Sequence, residues 1–220
     1  MTQSPNIVLF SVHKDAMAAA VHAFAEDWPE ARISNILEDG LFQWVRETGG
    51  VVPEMYGAFQ TLTRYAVERG AEGILYSCSA FGECIDACIT EFGLPMLKPN
   101  DAMIEKALNQ GSRIAVVATV AATIPTIAVE IEDMAAKRGQ TVELVPYVVD
   151  GAFDALAGGD AALHDRLVAE VAGTIEGCDV IALAQFTLSR AAPAVAAVTD
   201  IPVLNSPGAA VAKLRQLLSS

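Results

Sequence analysis

The chain has 220 residues, of which 53% are hydrophobic and 19% charged, so it has enough apolar side chains for a packed core. Its formal net charge of −13 would repel a phosphate backbone, which disfavours nucleic acid as a partner. No run reaches the roughly 18 uncharged apolar residues of a membrane span. The polar start lacks the basic region of a signal peptide. The composition therefore predicts a soluble, cytoplasmic protein that does not bind membranes.

Short apolar runs alternate along the chain with longer helical patterns. The predicted strands are 7–12, 33–37, 73–77, 95–97, 114–119, 142–148, 180–184 and 202–204. The predicted helices are 15–26, 53–69, 83–92, 101–109, 122–138, 161–175, 189–198 and 208–218. Alternation of this kind is typical of parallel βαβ units, so the predicted fold class is α/β.

The second half of the chain repeats the first. Three anchor segments recur 107 positions apart, beginning at residues 6 and 113, 70 and 177, and 95 and 202. We therefore predict two pseudo-symmetric halves, each a parallel sheet flanked by helices: 1–98 plus 206–220, and 99–205. Ligands gather at the carboxyl ends of parallel strands, so the halves are expected to share one cleft as the active site.

Cys78 comes where an apolar strand meets a loop, a few residues before the helix predicted near Glu83. Backbone N–H groups at a helix start favour the thiolate and lower the pKa of a thiol. A thiolate there can act as a base or a nucleophile, although a buried structural cysteine has the same pattern. Cys84 and Cys88 share a helix face and are interpreted as packing residues, as is Cys178. All four are expected to be thiols rather than disulfides.

Several hydroxyl residues fall at or just past predicted strand ends. Hydroxyls with nearby backbone N–H groups can hold a carboxylate, although each one alone could be a helix N-cap. His13 follows the first strand and is a candidate second acid or base, with a surface histidine as the alternative. His22 and His164 are predicted to face solvent. The hydroxyl set predicted to bind substrate is Ser11, Ser79, Thr119, Thr123 and Thr187.

A metal site is not expected. The cysteines Cys78, Cys84 and Cys88 lack the short pairs of structural zinc sites, and no histidine lies near them in the sequence. No Gly-x-Gly-x-x-Gly turn joins a strand to a helix, so no dinucleotide site is predicted either.

With these segments in place, the whole chain resembles the aspartate/glutamate racemase superfamily. The resemblance rests on the duplicated layout, on Glu72-Gly-Ile-Leu-Tyr-Ser-Cys-Ser-Ala, and on Cys178-Asp-Val-Ile-Ala-Leu-Ala-Gln-Phe-Thr-Leu. It implies a racemase-like fold that binds a small carboxylate or amino acid without cofactor or metal. It also implies one cysteine at the end of the central strand of each half. A homo-oligomer is left open.

The chain departs from that pattern in its second half. The first family cysteine corresponds to Cys78, but the position 107 residues later is Gln185. Related sequences carry Cys-Thr-Glu where this one has Gln185-Phe186-Thr187, and Ser79-Ala80 stands where they have Asn-Thr. An amide neither accepts nor releases a proton near neutral pH, so Gln185 is expected to bind substrate rather than to act as a base.

Three functional hypotheses follow. The first is a cofactor-independent isomerase of the racemase or epimerase type that uses a Cys78 thiolate on a small carboxylate or amino acid. The second is a cofactor-free decarboxylase of a small dicarboxylic acid, since protonating a carbanion after loss of CO₂ needs one acid. The third is a carboxylate-binding protein without catalytic activity.

Overall fold

The computed structural model describes residues 4–219 and divides them into two compact units. The first unit holds the described residues up to Pro99 and those from Ala210 onward, and the second is Asn100–Ala209. Residues 1–3, which belong to the segment used in the signal-peptide interpretation, lie outside the described residues, as does Ser220. The predicted domain division and the predicted shared cleft stay predictions.

The first unit is built on a four-stranded parallel sheet with helices between its strands. Its elements are β1 (Asn6–Ser11), α1 (Lys14–Asp27), β2 (Arg32–Leu37), α2 (Gly40–Thr48), α3 (Pro53–Glu68), β3 (Gly73–Tyr76), a 3₁₀ turn (Ser79–Phe81), α4 (Gly82–Phe92) and β4 (Met96–Leu97). The strands lie in the order β2-β1-β3-β4. Parallel neighbours cannot be joined by a tight turn, which is why a helical connection separates each pair along the chain.

The second unit repeats this plan. Its elements are α5 (Asp101–Gln110), β5 (Arg113–Ala118), α6 (Thr123–Lys137), β6 (Glu143–Val148), α7 (Ala152–Ala157), α8 (Ala161–Ala172), β7 (Val180–Leu183), a 3₁₀ turn (Phe186–Ala191), α9 (Ala192–Ala196) and β8 (Val203–Asn205). The strand order is β6-β5-β7-β8. A last helix, α10 (Ser206–Leu218), begins in this unit, and its residues from Ala210 onward belong to the first. The predicted α/β class with two parallel sheets is confirmed.

The two sheets share one register. In the first, Ile7 pairs with Gly73; in the second, Ile114 pairs with Val180, and both members of the pair have moved by the same 107 positions. The outer pairs β3–β4 and β7–β8 keep the same spacing. The duplication seen in the sequence therefore extends to individual strand pairings, which fixes which residues are counterparts in the two units.

An acidic residue before the central strand holds the start of the neighbouring strand in each unit. Glu72 Oε2 accepts a hydrogen bond from the Asn6 backbone N–H at 2.8 Å. Its counterpart Asp179 accepts from the N–H groups of Ser112 and Arg113, both at 2.8 Å. These bonds from Arg113 and Ser112 hold the pKa of Asp179 below its ordinary value. Gly111 must be glycine because a Cβ there would collide with the Asp179 carboxyl group.

The cores of the two units differ in chemistry. The first is aromatic around its strands: Phe59 stacks on Phe10 with ring centroids 4.8 Å apart and lies 4.9 Å from Phe81. In the second unit the counterparts of Phe10 and Phe81 are Val117 and Leu188, both buried among aliphatic side chains. The same backbone plan therefore tolerates two different ways of filling the space between sheet and helices.

Two short helices are additions to the predicted set, and one predicted helix is corrected. The helices α2 and α7 follow the edge strands β2 and β6 in segments for which no helix is predicted from the sequence. The helix predicted over 189–198 is instead the 3₁₀ turn Phe186–Ala191 followed by the five-residue α9. Pro193 lies in the first turn of α9, where its missing N–H costs nothing, so the α-helix begins there and not earlier.

Candidate active site at the strand ends

Cys78 follows β3 by two residues and caps the 3₁₀ turn that leads into α4. Its backbone is extended, with φ −139° and ψ 117°. Its side chain is half-buried and packs against the aromatic core of the first unit. The strand places the thiol at the carboxyl end of the sheet, immediately before the first residues of the turn.

The other three cysteines lie in apolar surroundings. Cys84 and Cys88 are fully buried on α4, and Cys178 is 9% exposed. Burial raises the pKa of Cys84 to about 11, and burial also raises the pKa of Cys88, whose sulfur accepts a hydrogen bond from Thr63 Oγ1 at 3.5 Å. None of the four cysteines forms a disulfide within residues 4–219. Cys78 is therefore the thiol with access to solvent and to a small molecule.

Gln185 has the same backbone setting in the second unit. It follows β7 by two residues and caps the 3₁₀ turn Phe186–Ala191, with φ −138° and ψ 142°. Its Oε1 accepts two hydrogen bonds from Thr119, one from the backbone N–H at 2.6 Å and one from Oγ1 at 3.0 Å. Thr119 follows the neighbouring strand β5, so the structure brings these two predicted site residues together.

The remaining hydroxyl residues are distributed over both units. Ser79 opens the turn after Cys78, Thr187 lies in the turn after Gln185, and Thr123 is the first residue of α6; all three are half-buried. Ser11 ends β1 and is fully buried. Its Oγ, like that of neighbouring Ser77, has no hydrogen-bond partner within residues 4–219. Their counterparts in the second unit are the alanines at 118 and 184, so this pair of hydroxyls belongs to the first unit alone.

His13 has a structural task at the start of α1. It is the N-cap residue, and its Nδ1 accepts a hydrogen bond from the Asp15 backbone N–H at 3.3 Å. The ring lies edge-on to Phe42 at 5.9 Å, and the side chain is 50% exposed. Because Nδ1 is the acceptor in this cap, Nε2 is the ring nitrogen that remains for proton transfer.

His164 corrects the sequence interpretation. It was expected to face solvent from an amphipathic helix, but its side chain is fully buried on α8. Its Nδ1 lies 2.7 Å from Asp165 Oδ1, and Asp165 also accepts from Arg190 Nε at 2.8 Å and Nη2 at 3.1 Å. Burial alone would raise the pKa of Asp165, but the hydrogen bonds from Arg190 and His164 outweigh it and hold that pKa below its ordinary value.

This network holds the turn that follows Gln185, because Arg190 lies on that turn and Asp165 on α8. The first unit has a matching contact. Glu83, the counterpart of Arg190, accepts a 2.6 Å hydrogen bond from the Tyr56 hydroxyl on α3. The hydrogen bond to Glu83 raises the pKa of Tyr56 to about 12. Each unit therefore ties the segment after its central strand to the preceding helix, with opposite charges in the two units.

A racemase family model, described as Asp/Glu/Hydantoin racemase, matches residues 46–214. The chain belongs to this family. None of the curated protein sequences matches this chain.

Solved structures of racemase-fold proteins align with nearly the whole of this family member. An allantoin racemase from Klebsiella pneumoniae has 18% identity and a TM-score of 0.71, with 98% of this chain and 88% of that one covered. A glutamate racemase from Francisella tularensis subsp. tularensis SCHU S4 in complex with D-glutamate has 13% identity and a TM-score of 0.65, with 100% and 82% covered. Unliganded arylmalonate decarboxylase has 18% identity and a TM-score of 0.62, with 97% and 92% covered. These likenesses show the fold.

Three further observations concern metal ligands, membrane-spanning helices and a surface groove in this racemase-family chain. Across residues 4–219, no group of three or more His, Cys, Asp or Glu side chains could hold a metal ion. In the same residues, no helix is long and apolar enough to cross a membrane. A groove of about 370 Å³ lies between α2 and α3.

Two features of the second unit were not predicted: the burial of His164 and the hydrogen bonds from Thr119 to Gln185. His164 stands three and four residues before Leu167 and Val168 on α8, so its position on the apolar face of that helix was a signal of burial in the sequence itself. The bonds of Thr119 to Gln185 were also missed, although one signal was available. The two residues are counterparts of Val12 and Cys78, and a threonine at the position where the other unit has a buried valine indicates that its hydroxyl makes a polar contact.

Proposed function

We propose that this chain is a cofactor-independent isomerase of the racemase type that acts in the cytoplasm on a small carboxylic acid or amino acid. Cys78 is the reacting group. The observation that carries this proposal is that Cys78 is the half-buried thiol at the end of the central strand, while Cys84, Cys88 and Cys178 are enclosed in apolar surroundings. Membership of the racemase family supplies the reaction class.

In this reaction the Cys78 thiolate takes the proton from the carbon next to the substrate carboxylate. The electron pair of the C–H bond stays on that carbon and spreads into the carboxylate, and Cys78 becomes a thiol. Return of the same proton restores the original configuration. Inversion needs a proton from the opposite face, and a neutral amide such as Gln185 cannot supply one. We assign that role to His13 through its Nε2.

Four of the other predicted site residues bind the substrate in this proposal. Hydroxyl and amide groups hold a carboxylate by hydrogen bonds without a full positive charge. The binding set is Ser79, Thr123, Gln185 and Thr187; Thr119 acts through its hydrogen bonds to Gln185, and Ser11, also predicted to bind, is fully buried behind the strand end.

A decarboxylase is the second candidate, and the amide at 185 is the observation that favours it. In that reaction the bond to one carboxylate breaks, its electron pair remains on the carbon, and CO₂ leaves. The Cys78 thiol then protonates the carbanion, and the resulting thiolate takes a proton from water. A single acid completes this sequence, so no second proton donor is needed.

The test compares Cys78→Ser with the control Cys178→Ser, which alters a thiol away from the strand end. Substrates are both enantiomers of aspartate and glutamate, allantoin and an arylmalonate, followed in D₂O for deuterium at the α-carbon and for CO₂ release. We expect Cys78→Ser to lower turnover by at least about a hundredfold and Cys178→Ser to leave it unchanged. Full turnover by Cys78→Ser would reject the proposal.

The same proteins separate an enzyme from a binding protein that lacks catalytic activity. Iodoacetamide labelling, read by peptide mass spectrometry, should modify Cys78 far faster than Cys84, because a thiol with a pKa of about 11 is almost entirely protonated at neutral pH. A chain that turns over none of these substrates and labels Cys78 no faster than an exposed cysteine in a peptide would be a binding protein.

A further inference from the structure

The side-chain amide of Gln185 has a fixed polarity. A backbone N–H can only donate, so the atom 2.6 Å from the Thr119 nitrogen must be the amide oxygen and not the amide nitrogen. The Thr119 hydroxyl donates to the same oxygen at 3.0 Å. An amide oxygen has two lone pairs, so these two bonds use its acceptor capacity in full.

What remains on Gln185 is its NH₂ group. Nε2 makes no hydrogen bond to another residue within 4–219, and the side chain is half-buried. The two N–H donors of Nε2 therefore lie at the end of β7, and the acceptor on the same side chain, Oε1, is already occupied by Thr119. A ligand atom that meets this group must accept a hydrogen bond.

The first unit has no such arrangement. Val12, the counterpart of Thr119, is 2% exposed and has no hydroxyl, and Cys78 cannot accept in the way that an amide oxygen does. Arg190, the nearest cation after Gln185 in sequence, already donates through Nε and Nη2 to Asp165. The Nε2 group of Gln185 therefore offers uncharged hydrogen-bond donors, and it acts by accepting no hydrogen bond rather than by carrying a positive charge.

We infer that Thr119 is a positioning residue that sets the polarity of Gln185, so that this strand end binds a carboxylate or carbonyl oxygen of the ligand and rejects its ammonium group. This inference rests on the proposed function in taking a small carboxylate as the ligand. An ammonium group has three donors and no acceptor, so opposite Nε2 it would leave donors facing donors. A carboxylate or an enolate oxygen accepts from Nε2 directly.

Malonate and ethylammonium are the probes, and the full-length protein is used throughout. The Gln185 side-chain NH₂ pair is assigned in ¹H–¹⁵N spectra by its loss in Gln185→Glu, and its shift is followed during each titration. We expect malonate to shift this pair and ethylammonium to leave it in place. A shift with ethylammonium as large as with malonate, or no shift with malonate, would overturn the inference.

Three variants separate the binding role of Gln185 from the positioning role of Thr119. Gln185→Glu accepts the same bonds from Thr119 but presents a carboxylate oxygen instead of NH₂, so malonate affinity should fall by more than about tenfold. Thr119→Val loses one of the two bonds that fix the amide and should weaken malonate binding about two- to tenfold. Thr119→Ser keeps both donors and should bind as the native protein does. Thermal unfolding of each variant confirms that it is folded.

The outcomes are separable from those of the proposed function. Gln185→Glu with native malonate affinity overturns the binding role, and Thr119→Val with native affinity overturns the positioning role. The assays of Cys78→Ser do not depend on either result. Loss of malonate selectivity in a protein with Cys78-dependent turnover would therefore end this inference alone.

Discussion

The two units share strand order and register but differ where the strands end. In the first unit, apolar Val12 lies beside the strand that carries Cys78; in the second, Thr119 donates two hydrogen bonds to Gln185. Residues 78 and 185 both have an extended backbone, with φ −139° and −138° and ψ 117° and 142°, so the chemical difference between them comes from the side chains. In the proposed function, one of these equivalent positions holds the reacting thiol and its counterpart binds the ligand.

The same contrast extends into the two cores. Phe10, Phe59 and Phe81 pack ring against ring in the first unit, whereas the core of the second unit is mostly aliphatic. Aromatic rings bury a large area each and depend on specific contacts, so their loss leaves a cavity that neighbours fill poorly. Residues that fill the two cores should thus differ in how much stability they contribute.

The largest expected effect comes from the first core. Phe59→Ala removes a fully buried ring from between Phe10 and Phe81 and should cost about 3–5 kcal/mol of unfolding free energy. Chemical denaturation monitored by circular dichroism measures this cost. Tyr65→Ala on the same helix α3 is the control, since Tyr65 is 57% exposed and should cost far less. Equal losses for the two variants would contradict the account of the aromatic core.

A smaller effect is expected at the buried network of the second unit. Asp165→Asn removes the charge that Arg190 and His164 share and should cost about 1–3 kcal/mol. Glu170→Gln on the same helix is the control, because its pair with Arg166 is 3.8 Å long and exposed, so its loss should be nearly neutral.

The pH dependence of the same pair follows from the lowered pKa of Asp165. A carboxyl group whose pKa is lower in the folded state stabilises the fold above its unfolded pKa of about 3.9, and loses that contribution as the pH falls through the folded value. The stability difference between the native protein and Asp165→Asn should therefore be largest near neutral pH and shrink in acid. A difference that stays constant across this range would contradict the assigned charge.

The amino-acid pattern predicts much of this fold. The alternation of apolar runs and helical patterns placed all eight strands to within about a residue or two, and the 107-residue repeat predicted that the sheets would match. Cys78 and Gln185 were placed as counterparts by that repeat alone. The helices α2 and α7 were not predicted, because a helix of only two or so turns gives too short an apolar pattern to distinguish it from a loop. The burial of His164 could have been predicted from the helical spacing of His164, Leu167 and Val168, whereas the bonds of Thr119 to Gln185 join segments far apart in the chain, which no local pattern contains.

The central claim is that the first unit supplies the reacting thiol and the second unit supplies an amide that cannot transfer a proton. Gln185→Cys tests it most directly, because it restores a thiol at the counterpart of Cys78. Both enantiomers of aspartate and glutamate are incubated in D₂O with the native protein, with the variant, with the His13→Ala form of each, and with the variant that also carries Cys78→Ser. We predict that Gln185→Cys inverts these amino acids with deuterium incorporation at the α-carbon even when it also carries His13→Ala, that any inversion by the native protein is lost in His13→Ala alone, and that the variant with Gln185→Cys and Cys78→Ser inverts neither amino acid. Rapid inversion that survives His13→Ala in the chain that keeps Gln185 would contradict the account of Gln185.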